Sequence, residues 1–456
     1  MSESRKTLIF VGVAVVLLAI ALITKQRQVT PEAFSDVGQP FFPEFTDPNA
    51  ARTLEVIEFD QQTGSAKPFK VMFKDGMWTI PSHYDYPADG KDRLAKTAAG
   101  MIGTKKDDFR TDNVADFEAC GVVDPLDETV VALGGRGTRV TIKGENDVVL
   151  ADLIMGKPVA DRENVRLVRV PGEKRVYAAR VDLELSTNFN DWIEADLLKV
   201  ERDEIDKITL RDYSIEERTG RVNTRDELVL TKSGADQWTA NRLKNTQEVD
   251  RYKMNNLLRA LDELAIVGVR PKPAGLTASL EQSTADMKIG NADLISLQEK
   301  GYYFSRDGRL LSNEGELQAV TARGVTYVLR FGEIVYGSGL AVSAGSGSGE
   351  GAGGPGENRY LFITTSFDAR LFPEPEKPSD SGFANKPDSL WTAEDHRMRG
   401  IQLAHEDWAR KVKEGRDLSD ELNGRFAGWY YVISAGSYEQ LRLTRSDLVK
   451  DKPKTN

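Results

Sequence analysis

From residue 53 onward apolar and polar side chains alternate, and one tight turn interrupts the alternation. TLEVIEFD (53–60) predicts a strand and FKVMFKDGMWTI (69–80) a hairpin turning at Asp75-Gly76, since a period of two turns one face of a strand inward and an Asp-Gly pair accepts the left-handed backbone of a short hairpin. The period then lengthens. In ADGKDRLAKTAAGMIG (88–103), Leu94, Ala98, Met101 and Ile102 share one helical face, with Asp89 placed to cap the first turn. The same succession returns later, with Trp78 and Trp238 standing 160 positions apart (238 − 78). DKITLRDYS (206–214) predicts a strand, DELVLTKSGADQWTA (226–240) a hairpin, and VDRYKMNNLLRALDELAIVGV (249–269) a helix. That helix is capped by Asp250 and lined by Met254, Leu257, Leu258, Leu261, Leu264 and Ala265. Each tryptophan ends a hairpin and is expected in the core.

Further strands supply the sheets these helices must cover. RVTIKG (139–144), VVLADLIMG (148–156), NVRLVRV (164–170) and RVYAARV (175–181) predict an antiparallel meander, and GYYFSRDGRLL (301–311), GVTYVLRFGEI (324–334) and RYLFITTSF (359–367) a second one. A Gly/Ser-rich stretch, 337–358, interrupts the second meander and reads as a flexible loop. A Pro-rich connection (372–382), a charged helix (about 393–413) and the aromatic strand FAGWYYVIS (426–434), expected to complete the second sheet, close the chain. The fold class expected is α+β: an N-terminal transmembrane helix followed by two related modules of antiparallel sheet plus helix. The division is an anchor (1–24), a Pro-containing tether (25–51), a first module (52–200), a second (201–368) and a C-terminal part (369–456) that completes it.

The anchor rests on LIFVGVAVVLLAIALIT (8–24), an uncharged run behind MSESRK. As a helix it reaches roughly 25 Å, near the lower limit for a bilayer core of about 30 Å. A cleaved signal peptide is the rival reading: Arg5 and Lys6 would form its positive region and Ala19-Ile20-Ala21 its cleavage site. That site sits inside the apolar run, before Leu22 and Ile23, so an uncleaved anchor is preferred. Lys25 and Arg27 balance the charges in front and leave the reversed, cytoplasmic topology open; the short amino tail favours an extracytoplasmic C-terminal part. Pro31, Pro40, Pro43 and Pro48 favour an extended tether, on which Phe41, Phe42 and Phe45 suggest docking to the folded part. Composition adds exclusions. With 61 basic and 71 acidic residues the net charge is −10, which gives no basic field for nucleic acid. A single cysteine, Cys120, allows no intramolecular disulfide.

The apolar N-terminal segment, the Lys-Asp-Gly-Trp-Ile hairpin (Lys74, Asp75, Gly76, Trp78, Ile80), the helix of D-x-x-x-L type and EACGVVDP (118–125) together resemble the DUF4340 family of bacterial membrane-anchored proteins. The likeness is greatest to its longer, planctomycete-type members. It covers most of the chain and is clearest over 53–181; the second copy and the Gly-rich insertion depart from the shorter pattern. It implies a single-pass protein of the bacterial cytoplasmic membrane whose C-terminal part is extracytoplasmic. It also implies an association with gliding-motility-type ABC transport systems. It supplies no catalytic, cofactor-binding or metal residue to carry over.

Chemistry read from the residues points the same way. His396 and His405 stand nine positions apart (405 − 396), about two and a half helical turns, on opposite faces, and HEDW (405–408) reads as a solvated helix face. His83, in SHYDY, reads as a turn residue, and Cys120, beside Gly121-Val122-Val123, as a small buried apolar one. GGRG (134–137) has no following Lys-Ser/Thr, so a phosphate loop is not expected. Asp85 and Asp89 could form a carboxylate pair, and Trp78, Trp238, Tyr430 and Tyr431 a sugar-binding face. The expectation is a non-catalytic accessory or binding protein of a cell-envelope system, without cofactor or metal. It would present β-edges and the aromatic C-terminal face to a protein partner, with transporter components as the candidates. The alternative is an envelope hydrolase or polysaccharide-binding enzyme using acidic residues in a groove between the modules.

Overall fold

Asp75 and Gly76 both take positive φ (52° and 83°), so β2 (Ser65–Lys74) reverses into β3 (Met77–Ile80) with Lys74 facing Met77. The computed structural model in which this turn is seen describes residues 36–453 apart from 62–63, 182, 184, 217–218, 220, 235–236, 282–288, 306–307, 336–356 and 380–385. The apolar segment 8–24 and nearly all of the Gly/Ser stretch lie outside the described residues. Among the described residues, no helix is long and apolar enough to cross a membrane.

The first sheet adds β1 (Thr53–Asp60), β4 (Tyr86–Pro87), β5 (Asp108–Thr111), β6 (Thr138–Lys143), β7 (Val149–Pro158), β8 (Val165–Arg169) and β9 (Val176–Arg180). Its order is β4-β3-β2-β1-β6-β7-β8-β9-β5. The second contains β10 (Ile205–Glu216), β11 (Arg221–Gly234), β12 (Gln237–Ala240), β14 (Gly268–Pro271), β17 (Glu316–Thr321), β18 (Val325–Val335), β19 (Asn358–Phe367) and β20 (Trp429–Ile433). Its order is β12-β11-β10-β17-β18-β19-β20-β14. The pairs β1–β6, β5–β9, β10–β17 and β14–β20 are all antiparallel, and from β3 to β5 the first order matches the second strand for strand. Only β4 has no counterpart there. Its place in the chain is taken by β13 (Gln247–Val249), which pairs with the C-terminal β21 (Val449–Asp451).

Helix α1 (Lys91–Ile102) buries Leu94, Ala98 and Met101. It begins after Gly90, so Asp89 does not cap it; the Asp89 backbone N–H donates to the Trp192 carbonyl at 2.7 Å. The short α2 (Phe117–Cys120) ends at Gly121, whose φ of 71° lets the chain turn back. In the second copy Asp250 does cap α3 (Arg251–Asp262), accepting from the Tyr252 and Lys253 N–H groups at 2.9 and 3.2 Å. Met254, Leu257, Leu258 and Leu261 are buried, whereas Ala265 lies beyond the helix end and is exposed.

Two expectations in the C-terminal half need correction. Residues 301–311 do not enter the second sheet: β15 (Tyr302–Phe304) and β16 (Leu310–Ser312) form a separate hairpin, and β17 takes the meander position. The hairpin stands apart from that sheet, with Tyr302 paired to Ser312 and wholly buried against Phe362 and Tyr430. Two helices, α4 (Ala274–Glu281) and α5 (Asn291–Gln298), precede it. The charged helix α6 runs over Ala393–Ala427, well past residue 413. Its extra turns bury Ser419, Leu422 and Phe426, and Thr365 of β19 exchanges hydrogen bonds with Asn423 at 2.9 Å in both directions. Two short helices, α7 (Ala435–Leu441) and α8 (Arg445–Leu448), lead to β21.

By compactness the chain divides into residues 36–69 with 92–185 and residues 70–91 with 186–453. In the first unit, Phe41 and Phe45 are buried, and Phe41 packs edge-on to Tyr177 at 5.6 Å. The stretch read as tether is therefore packed from Asp36 onward. In the second unit, Trp192 is buried and lies 3.3 Å from the point where a Cβ on Gly90 would sit, which draws 186–200 together with the 70–91 hairpin.

Candidate functional site

The residues with chemical potential are dispersed. His83 is 2 % exposed and lies flat on Phe189, with ring centroids 4.6 Å apart. Burial first, then the Arg270 charge, lower its pKa from 6.5 to about 4, which keeps the imidazole neutral at pH 7. His396 packs edge-on to Trp391, while His405 Nε2 stands 3.4 Å from a Glu374 oxygen. HEDW is thus a seat for the Pro-rich connection as well as a solvated face, since Trp408 Nε1 donates to the Phe372 carbonyl at 3.0 Å. Among the described residues, no group of three or more His, Cys, Asp or Glu side chains could hold a metal ion. Asp85 faces Lys74 at 3.8 Å. Burial and Asp116 push the Cys120 thiol upward, and the side chain packs on Val122, Ile154 and Val176.

GGRG is a packing device. Val123 N–H donates to the Gly135 carbonyl and Gly137 N–H to the Val123 carbonyl, at 3.1 and 2.9 Å. A Cβ on Gly135 would meet Glu118 at 2.5 Å. Arg169, nearly buried, fixes the same segment by donating from Nε and a terminal nitrogen to the Val122 carbonyl.

The aromatic C-terminal strand is not presented to solvent. Tyr430 and Tyr431 are 0 % exposed because β20 lies between β19 and β14. Beneath it is Lys272, also buried. Its ammonium donates to the Phe426 carbonyl at 2.9 Å and stands 3.9 Å from the Phe362 ring centroid, with no carboxylate partner among the described residues. Desolvation holds its pKa well below 10.5.

Trp78 and Trp238, both expected in the core, are half-buried. Trp78 packs on Phe73 with centroids 5.3 Å apart. Trp238 borders cavities of about 370 and 170 Å³. The larger is a groove beside β12, lined by Trp238, Leu243, Glu248, Arg251, Met254, Lys450 and Lys452, and β13 packs against β12 there. Its origin lies in strand pairing. In the first sheet, β4 covers the outer side of β3, placing Pro87 opposite Thr79 and Tyr86 opposite Ile80. In the second sheet, β12 is terminal and β13 turns instead to β21. Residues 78–279 match the family model described as Domain of unknown function (DUF4340). The chain carries a DUF4340 domain. No curated protein and no solved structure matches it.

The DUF4340 stretch runs from Trp78 in the first sheet to α4, so it includes both tryptophans, β12 and α3. Lys450 and Lys452 come to the groove from outside it. The other edges of the two large sheets carry charge or proline. β4 contains Pro87 and β5 contains Asp108 and Arg110. On β14, Pro271 lacks an N–H and the Arg270 guanidinium donates to the Val269 carbonyl at 2.8 Å. These are the usual means of keeping an edge strand from pairing. Strand β12, Gln-Trp-Thr-Ala, has neither charge nor proline. Sequence reasoning found Trp238 through the repeat but could not find the groove, which depends on β21 capturing β13.

Proposed function

We propose that this protein is a membrane-anchored, extracytoplasmic accessory component of a bacterial cell-envelope system, working by surface recognition and not by catalysis. A gliding-motility-type ABC transport system is its proposed setting. The reading is carried by the half-buried Trp238, which lies in an open groove lined also by β13 and the helix α3. An aromatic side chain in an open groove offers a second polypeptide an apolar anchor. The apolar run 8–24 supports the membrane location, because an anchor raises the local concentration of the recognition surface. A reporter active only outside the cytoplasm, fused after Asn456, is expected to be active; activity of a cytoplasm-only reporter there would overturn the topology. Affinity purification of the full chain from mildly solubilised membranes should recover a transporter subunit. A glycan, or no partner, in the bound fraction would overturn the protein-binding reading.

A further inference from the structure

The loop between α2 and β6 exposes apolar side chains on a fixed backbone. Leu126 and Leu133 are each 49 % exposed and Val131 is 91 % exposed, all within DPLDETVVALGG (124–135). We propose that this loop is a further recognition surface, whose apolar tip enters a cleft of a partner polypeptide that carries lysine or arginine at its rim. This rests on the surface-recognition reading and gives the partner a chemistry that Trp238 alone does not supply.

The arginine of GGRG holds the backbone. Its Nε donates to the Ala132 carbonyl at 3.4 Å, one terminal nitrogen faces the carbonyls of Asp124, Pro125 and Asp127 at 3.0, 3.4 and 3.0 Å, and the other donates to that of Val130 at 2.6 Å. Main-chain oxygens from one stretch thus converge on one planar guanidinium, that of Arg136, whose Cζ stands 4.3 Å from the Phe59 ring centroid of β1. Two carboxylates complete the shape. Asp124 accepts from the Leu126 N–H at 2.9 Å, and Asp127 from the N–H and hydroxyl of Thr129 at 2.9 and 2.6 Å. The carbonyls therefore turn in toward Arg136 while Leu126, Val131 and Leu133 stay in solvent, which leaves apolar area unburied at a cost to stability. Because the loop is already ordered, a partner that buries Val131 gains its apolar area without the cost of fixing the backbone.

Charge selects the occupant. Asp127 and Glu128 follow Leu126 directly, and Glu128 is exposed and makes no hydrogen bond or ion pair among the described residues. The neighbouring cations are committed elsewhere: Arg136 to carbonyls, and Arg139 to Asp124 and Asp152 at 3.1 and 2.6 Å. The rim of the tip is therefore acidic, on a chain whose net charge is −10. An anionic bilayer surface repels such a rim, and entry of Val131 into a membrane would draw Glu128 toward the hydrocarbon. A second copy of the same acidic chain is disfavoured by the same repulsion. An apolar cleft with a basic rim satisfies both Val131 and Glu128.

The test places the photoreactive amino acid p-benzoylphenylalanine at Val131 of the full chain, in the cells that natively make it. Irradiation is expected to give one discrete protein adduct, in which the crosslinked peptide of the partner is apolar and flanked by lysine or arginine. Glu128→Lys, an exposed change, should lower the adduct yield about tenfold. Limited digestion with elastase reads the fixed backbone separately. It should cut the loop about tenfold faster in Arg136→Lys than in wild type, since an ammonium cannot span these carbonyls, with circular dichroism confirming that the variant is folded. Crosslinking to lipid, to a second copy or to nothing would overturn the proposal, as would an adduct indifferent to Glu128→Lys or equal digestion of wild type and Arg136→Lys. Affinity purification separates this surface from the wider reading. A transporter subunit recovered equally by wild type and Val131→Asp would remove the loop from the account and leave surface recognition standing.

Discussion

Acid should loosen the second unit at His83. The folded state keeps this imidazole neutral because it is 2 % exposed, stacked on Phe189 and subject to the Arg270 charge, which together lower its pKa from 6.5 to about 4. Between those two values the unfolded chain binds a proton at this position and the folded chain does not. The stabilising contribution is therefore complete above pH 6.5 and is lost as the pH falls toward 4. One proton costs about 1.4 kcal/mol per pH unit, so crossing the interval removes about 3 kcal/mol. His83→Phe is the informative comparison, since phenylalanine can keep the stack on Phe189 and does not titrate. Urea unfolding of both proteins at half-unit steps from pH 7 to 4 isolates the term, because carboxylates titrate alike in both. The wild type should lose stability faster, with the difference reaching about 3 kcal/mol near pH 4. Parallel stability curves for the two proteins across this range would refute the reasoning.

Two further changes test the packing. Lys272 should give the opposite end of the pH scale its slope: its folded pKa lies below the unfolded value, so stability should rise with pH toward 10.5. Lys272→Met should abolish that rise and raise the unfolding midpoint at pH 7; an unchanged slope would show that the amine is not desolvated. In the first unit, a Cβ on Gly156 would lie 2.5 Å from the Cys120 carbonyl oxygen and 2.7 Å from Val122. Gly156→Ala should therefore cost about 2 to 3 kcal/mol in thermal or urea unfolding, whereas Gly172→Ala, with nothing within 4 Å, should cost about 1 kcal/mol for its positive φ.

Local rules recovered the elements whose cause is local. Asp75-Gly76 specified its hairpin, the spacing of Met254, Leu257, Leu258 and Leu261 specified the buried face of α3, and alternation specified β6 to β9. Elements whose cause is distant were misread. ELQAVT (316–321) is a short run that only its neighbours β10 and β18 make a central strand, while YYF (302–304) looks like a better strand and is drawn away by the aromatic cluster. The end of α6 was placed too early because Ser419 and Asn423, polar in sequence, bind β19. For the candidate site, Trp238 was legible as a repeated slot. Its half-burial and its groove were not, since both depend on which strand β13 pairs with.

The position of β20 also sets an order of events. The nine strands of the first sheet are contained in residues 53–180, so a ribosome has delivered all of them before the second sheet has begun. The second sheet has no such independence. Between β19 and β14 it holds a place for residues 429–433, which follow every other strand of that sheet along the chain. Until they arrive, Gly268 lacks its partner Val432, Tyr360 lacks the same residue on the opposite side, and the aromatic cluster around Tyr302 lacks Tyr430. The emerging second half must therefore wait as an open sheet, and a chain that stops before residue 429 lacks an interior strand rather than a margin.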